Sequence, residues 1–309
     1  MQTRRIGMLG VALAASVLLI GAGKTDDQQP TFPLYVNVEQ GGKPVTALSA
    51  ANFRVFLDGR GREFGLEVVE TPASVLLLVE RGSRSYWPHI RSAIEGFVEY
   101  APKGHWYGIV TFDRETHVVK DFTKDQSWIP RAFSVAPHSQ WGEIATYDAL
   151  ANTVEIISQL PGRRVIVVVG AGLDTFSGNG FGDVEKALES TDVVVFSVGT
   201  GTAQIMDSTP ANMFQDLEQL QARSFLRMLA DKTGGEAWFP DFDAAFPRAM
   251  KQLFQDVSTQ YKLVVKAAIP SDGRFHKVKV EAFTVANDKR QDFKVRVREG
   301  FRRAVDARD

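Results

Sequence analysis

Val75-Leu-Leu-Leu-Val79, Val165-Ile-Val-Val-Val169 and Val193-Val-Val-Phe-Ser-Val198 are three runs with almost no polar interruption. A strand with one wet face alternates in polarity. An unbroken apolar run is expected of a strand covered on both faces, as in a parallel sheet. Most of these runs are followed by residues at helical spacing. Ile90, Ile94, Phe97 and Val98 place a helix over 86–100, and 145–160, 183–190, 212–232 and 242–258 read as further helices. Tyr107-Gly-Ile-Val-Thr-Phe112 and Thr116-His-Val-Val119 predict a hairpin around Asp113 and Arg114, and Ala237 with Phe239 predicts a short strand. The pattern implies an α/β unit: a Rossmann-like, mostly parallel sheet flanked by helices, with right-handed crossovers.

Outward from this middle the periodicity changes to two. Leu34-Tyr-Val-Asn-Val-Glu39, Phe53-Arg-Val-Phe-Leu57 and 66–69 precede it, and 261–269, 275–285 and 293–297 follow it. Gly41-Gly42-Lys43-Pro44 and Asp58-Gly59 read as turns, and 49–52 as a short helical turn. The economical arrangement is a small β-sandwich made from both ends of the chain, with the α/β unit inserted. The expected division is a leader at 1–23, a linker at 24–31, an N-terminal β segment at 32–70, the α/β domain at 71–259, a C-terminal β segment at 260–303 and a tail at 304–309.

The chain has 309 residues and a formal net charge of −1, which gives no general pull toward nucleic acid or anionic membrane. From Gln260 onward there are 13 Lys and Arg against 7 Asp and Glu, a local net of +6 that leaves −7 for the rest. Interleaved with Val and Phe at strand spacing, these cations read as a solvated sheet face or as a site for an anionic surface. The absence of cysteine excludes disulfides, thiolate metal sites and a lipid-anchored cysteine. Arg4 and Arg5 precede an apolar run from Ile6 to Gly23, and Gly21-Ala22-Gly23 offers small residues before a polar stretch. This is the pattern of an export signal, cleaved near Gly23 or retained as an anchor. The chain is therefore expected to be periplasmic or extracellular, with a membrane contact only through that segment.

Several stretches together resemble the von Willebrand factor type A (vWA) family, and within it a bacterial, chiefly acidobacterial, VWFA-related subfamily. They are Gly42-Lys-Pro-Val-Thr-Ala-Leu48 with Asn52-Phe-Arg-Val-Phe-Leu-Asp-Gly59, Val75 to Val79, Val110-Thr-Phe-Asp113, Tyr147-Asp-Ala-Leu150, Val195-Phe-Ser-Val-Gly199, Leu229-Ala-Asp-Lys-Thr-Gly-Gly235, Gln260-Tyr-Lys-Leu263 and Arg298-Glu-Gly-Phe301. The resemblance implies a vWA-like fold and a divalent-cation site at the top of the sheet, built from an Asp-x-Ser-x-Ser loop, a threonine and a later aspartate. This sequence departs from that pattern in all three loops. Glu80, Gly82 and Arg84 stand at the Asp-x-Ser-x-Ser positions, Ile144 at the threonine and Ala171 at the aspartate. Ser83 and Ser85 keep the serine spacing one residue late, where a bulge would be needed to use them. Asp174 is a further residual ligand, and Glu80, Glu143 and Asp174 form the main set that would rebuild a site for Mg²⁺ or Ca²⁺. With oxygen ligands missing from each loop, no metal and no cofactor is expected. Arg84 either projects a fixed cation between Glu80 and Asp174 or, like Arg81, is a solvated loop residue.

Enzyme chemistry finds no carrier. His89, His105, His117, His138 and His276 lack metal-ligand spacing, and there is no Gly-x-Ser-x-Gly elbow. The Val169-Gly-Ala-Gly172 turn lacks the third glycine of a dinucleotide loop. Asp113 and Asp148 read as turn and helix residues. The surface expected to carry function is the carboxyl-terminal rim of the parallel strands. There Arg81, Arg84, Trp87, Trp141, Glu143, Asp174, Phe176 and Phe181 are the candidate contacts for a protein or peptide partner. The alternatives are a structural or assembly subunit that interacts through the terminal β-sandwich, and metal-bridged adhesion through a rebuilt site.

Overall fold

The computed structural model describes residues 30–69, 72–81, 87–129, 142–201 and 213–305, leaving aside the side chains of 213–216. In chain order, β1 (Thr31–Gln40), β2 (Lys43–Pro44), β3 (Phe53–Leu57), β4 (Arg60–Arg62) and β5 (Phe64–Glu67) come first. The middle contains β6 (Ser74–Glu80), α1 (Trp87–Tyr100), β7 (Trp106–Phe112), β8 (Thr116–Thr123), α2 (Thr146–Ser158), β9 (Arg164–Gly170), α3 (Phe181–Glu189), β10 (Val194–Gly199), α4 (Met213–Thr233), β11 (Ala237–Trp238) and α5 (Phe246–Ser258). Then follow β12 (Tyr261–Lys266), β13 (Phe275–Ala286), β14 (Lys289–Asp292), β15 (Lys294–Arg296) and β16 (Gly300–Arg302).

The three apolar runs are β6, β9 and β10, adjacent in one six-stranded sheet of order β11-β10-β9-β6-β7-β8. All neighbours are parallel except β8, which returns antiparallel to β7. Numbered by appearance within the sheet, the strands run 3-2-1-4-5-6, the order of doubly wound α/β folds. Both faces are covered. Val75, Leu77 and Val79 pack with Ile90 and Phe97 of α1 and Phe246, Met250 and Leu253 of α5. Leu76 and Leu78 pack with Leu150 and Val154 of α2, Val184 of α3 and Leu226 and Leu229 of α4. Burial on alternate faces is why the runs lack polar alternation.

The chain ends form two further five-stranded sheets. One has the order β15-β1-β12-β5 with β2 on β1, and the other β14-β13-β3-β4 with β16 on β13. Phe32, Leu34 and Val36 of β1, Leu263 and Val265 of β12, Val55 and Leu57 of β3 and Val278 and Val280 of β13 share one apolar cluster. Buried polar groups tie this cluster to the large sheet. Asn37 Nδ2 donates to the Asp256 carbonyl at 2.8 Å, Gln260 Nε2 donates to Asn37 Oδ1 at 3.1 Å, and Arg163 donates to the Val257 carbonyl at 2.8 Å.

Several boundaries differ from the sequence reading. The strand expected at 66–69 lies at Phe64–Glu67, where Phe64 to Glu67 pair with β12, and Val68 is 91% exposed. The strand beginning at Tyr261 ends at Lys266, although Ile269 is buried in the same cluster. The last helix starts at Phe246, after a 3-10 turn, with proline at its N-terminus where a missing N–H is tolerated. The C-terminal cations are not all on a solvated face. Arg298 is buried, donating to the carbonyls of Leu188 and Gly300, and Arg296 is held among three carboxylates.

Candidate functional site

Strands β6 and β9 are the neighbours at which the winding of the sheet reverses, and a crevice is expected beyond their carboxyl ends. Glu80 ends β6 at this point and is fully buried. Its carboxylate turns across the reversal onto β9, where the Ala171 amide donates to Oε2 at 2.6 Å; Oε1 has no hydrogen-bond partner. Burial pushes the Glu80 carboxyl up to about 7, against the pull of the Ala171 and Gly172 amides. The contact requires glycine at 170, because a Cβ there would lie 2.6 Å from Glu80 Oε2 and 2.9 Å from its Cβ. Arg81 follows Glu80 and bonds the Asp113 carboxylate at 3.2 Å, and its amide donates to the Phe112 carbonyl. Both side chains are largely buried, at 13% and 6% exposure. The reading of Arg81 as a solvated loop residue is corrected: its guanidinium fastens the end of β6 to the β7–β8 hairpin.

The loop before α2 is stitched to the loop after β9. Thr175 accepts from the Ile144 amide at 2.8 Å, the amides of Thr175 and Phe176 donate to the Ile144 carbonyl, and the Thr146 hydroxyl donates to the Leu173 carbonyl. Asp174 Oδ1 accepts from the Tyr147 amide at 3.1 Å and from the Ser177 hydroxyl at 2.5 Å, and Ser177 Oγ accepts from the Asp148 amide at 3.0 Å. Asp174 and Ser177 thus satisfy amides in the first turn of α2 that have no partner within the helix. Asp148 works in the reverse direction, accepting from the amides of Gly178 and Asn179 at 3.0 and 2.8 Å. Burial raises the Asp148 carboxyl, but those amides outweigh it and hold it below its ordinary value.

Phe176 stands on this braced loop and Phe181 at the start of α3, which follows it. Phe176 and Phe181 remain 43% and 42% exposed. The Arg114 guanidinium lies 4.3 Å from the Phe176 ring centre and 3.3 Å from the Glu143 carboxylate. Phe181 meets Phe225 of α4 at 5.5 Å, and Phe225 meets Tyr147 at 4.8 Å. Trp87 is placed differently, half-buried against the cluster under α1 and α5 on the opposite face of the sheet. Gly82, Ser83, Arg84, Ser85 and Trp141 lie outside the described residues.

A divalent cation of the family's kind needs several free oxygens about one point. Among the described residues no three His, Asp or Glu side chains gather in that way. The Ile144 side chain is buried among apolar neighbours, the Ala171 amide is taken by Glu80, and Asp174 Oδ1 is taken by two donors. Glu80, Glu143 and Asp174 are thus engaged separately: Glu80 on the Ala171 amide, Glu143 on Arg114, and Asp174 on the Tyr147 amide and the Ser177 hydroxyl. Sequence reasoning missed Arg114, Thr175 and Ser177. Asp174-Thr-Phe-Ser177 has the composition of a capping loop, but the helix it caps starts 28 residues earlier in the chain, at Thr146.

No protein-family model and no curated protein matches the chain. Among solved structures, the chain is similar to a von Willebrand factor type A protein from Catenulispora acidiphila, with 10% identity, a TM-score of 0.48, and coverage of 93% of this chain and 76% of that one. The fold is a doubly wound α/β fold. An aerotolerance-related membrane protein from Bacteroides fragilis gives 15% identity and a TM-score of 0.46, covering 59% of this chain and 98% of that one. The vWF domain of a type V pilus tip protein from Porphyromonas gingivalis gives 12% and 0.44, covering 62% and 96%. The doubly wound assignment rests on the strand order and the two covered faces of the sheet. Among the described residues, no helix is long and apolar enough to cross a membrane.

Proposed function

We propose that this chain is an exported, non-enzymatic binding module of the VWFA-related type, which holds a protein partner at the rim of its parallel sheet without a bridging metal ion. The observation that carries this reading is the pair Phe176 and Phe181, each more than two-fifths exposed, the first on a loop tied down by Asp174, Ser177 and Asp148 and the second at the start of α3, directly after that loop. Large aromatic side chains held rigidly in this way lose little entropy on binding and are typical interface anchors. Arg114 and Glu143 beside them supply a polar edge. The absence of a bridging ion is supported by the position of Glu80, whose carboxylate is turned inward onto β9. The leader at 1–23 supports export, and the terminal sheets serve in this reading as a β-sandwich base for the α/β domain. Val68, Val285 and Val305 are exposed singly near the chain ends and do not favour assembly through those sheets.

Thermal unfolding in EDTA and then in millimolar Mg²⁺, Mn²⁺ or Ca²⁺ tests the metal-free part. A ligand specific to the folded state must raise its apparent stability, and no shift is expected. A saturable rise, abolished by Glu80→Ala with Asp174→Ala, would restore cation-bridged binding. The partner part is tested by capture from the envelope of the source cells with the wild-type chain and with Phe176→Ala/Phe181→Ala. A protein retained by the first and lost from the second, equally in EDTA and Mg²⁺, is the expected result, and equal retention by both chains would refute the rim.

A further inference from the structure

A cleft of about 530 Å³ opens between the β1–β2 turn and the edge of the large sheet at β11. It shares no lining residue with the rim. Arg296 of β15 lies in it, surrounded by carboxylates: 2.7 Å from Glu236, 2.7 Å from Asp256 and 3.7 Å from Glu39. The second cation is Lys294, which pairs with Glu39. Three carboxylates thus face two cations, a deficit of one positive charge. The two cations are not equivalent: Lys294 is 66% exposed and can be displaced, whereas Arg296 is 14% exposed and held among the carboxylates. Glu236 and Asp256 both remain above the ordinary carboxylate value despite a guanidinium in contact with each. Burial is the first cause; repulsion from Glu39 adds to it in both, and repulsion from Asp256 adds to it in Glu236.

The wall of the cleft is as informative as its charge. Trp238 lines it, with its indole stacked on Phe196 at 6.1 Å and 23° between planes. An indole face attracts cations and accommodates methylene groups. A bare metal ion would have no use for that wall, and the three carboxylates are already engaged by organic cations.

We propose that this cleft binds one organic monocation, an ammonium or guanidinium on an apolar stem, whose charge completes the Glu39–Glu236–Asp256 group and whose stem lies on Trp238. The same chemistry is found in a free alkylamine and in a lysine or arginine side chain of another polypeptide.

Titration calorimetry on the full chain tests this with butylammonium, N-acetyl-lysine methylamide and N-acetyl-arginine methylamide. N-acetyl-norleucine methylamide is the neutral control. Saturable binding of the cations at millimolar concentration and none of the control is expected. Glu236→Gln should weaken binding about tenfold, the equivalent of about 1.4 kcal/mol. Lys294→Gln, a change at a solvent-exposed position that removes the competing cation, should tighten it several-fold. A purely structural ion cluster would not produce that gain. Butylammonium binding as well as the amino-acid analogues assigns the site to free amines, and tighter binding of the analogues assigns it to a polypeptide side chain. Absence of saturable heat with every cation, equal binding of the norleucine control, or weaker binding after Lys294→Gln would overturn the proposal.

Discussion

Glu80 carries its carboxyl one methylene further from the strand than an aspartate would, and the carboxyl meets the Ala171 amide on the neighbouring strand. The ionised form sits in a fully buried place with one oxygen unpartnered, so folding favours the protonated form. The folded pKa of about 7 lies above the unfolded value near 4.5. Any stability contributed by the protonated acid is therefore complete below pH 4.5 and lost as the pH rises through 7. A shift of this size corresponds to about 3 kcal/mol. Glu80→Gln keeps the acceptor for Ala171 and cannot ionise. In urea unfolding it should be more stable than the wild type at pH 8, with the gap closing toward pH 5. A variant less stable at pH 8 would show that the ionised carboxylate is favourable there.

His276 presents the opposite case. Its ring bonds Asp58 at 2.8 Å and Asp272 at 3.0 Å, and the hydrogen bond to Asp58 is the main cause of its raised pKa. Its contribution is present below 6.5 and disappears as the pH rises through the raised value. Asp58, held below its ordinary value chiefly by the same bond, contributes above 3.8 and loses that contribution as acid protonates it. The link should therefore be strongest between these limits. His276→Asn should flatten the stability–pH profile on the alkaline side above pH 6.5, as followed by thermal unfolding.

At the level of the element, the start of α2 depends on a loop that follows β9. Removing a side-chain cap usually costs about 1 kcal/mol, and Asp174→Ala should do so here because it frees the Tyr147 amide and the Ser177 hydroxyl. Asp148→Ala acts on the loop instead. Amide exchange at Gly178 and Asn179 should accelerate, while exchange in β9 stays unchanged. If both sites keep their protection, the Asp148 contacts do not hold the loop. Gly170→Ala places a methyl against Glu80, and overpacking of this kind costs about 1–3 kcal/mol. Glu80→Ala in the same chain should recover most of that loss, a non-additivity that a double-mutant cycle measures.

Across the whole molecule, the two chain ends are joined to the middle by buried polar contacts rather than by a separate linker. Arg298 is one of these. Burial lowers its pKa to about 10, and its guanidinium reaches the Leu188 carbonyl in the last turn of α3 while lying 3.8 Å from the Phe301 ring centre. Of the tryptophans, Trp87, Trp106, Trp128 and Trp238 are described, and all four belong to the α/β unit, so tryptophan fluorescence reports chiefly that unit, whereas far-UV circular dichroism reports all three sheets. The two signals should trace one urea transition in the wild type. In Arg298→Ala they should separate, because loss of a buried charged donor unpairs the groups that couple the sheets. Coincident curves in the variant would show that the apolar cluster couples them unaided.

The sequence by itself determined the covered strands β6, β9 and β10, the helices between them and the two-residue periodicity of the ends, because burial imposes a period on the chain wherever an element forms. That Ile144 and Ala171 bring no side-chain oxygen was also legible, whatever surrounds them. Only the tertiary structure decided the direction of Glu80, the pairing of Arg81 with Asp113, and the capping of α2 by Asp174 and Ser177. It also decided the gathering of Glu39, Glu236, Asp256 and Arg296. Those residues are separated in the chain by dozens to hundreds of positions, and a charge or hydrogen bond between distant residues leaves no period in the sequence. Its geometry exists only once the sheets have closed on one another.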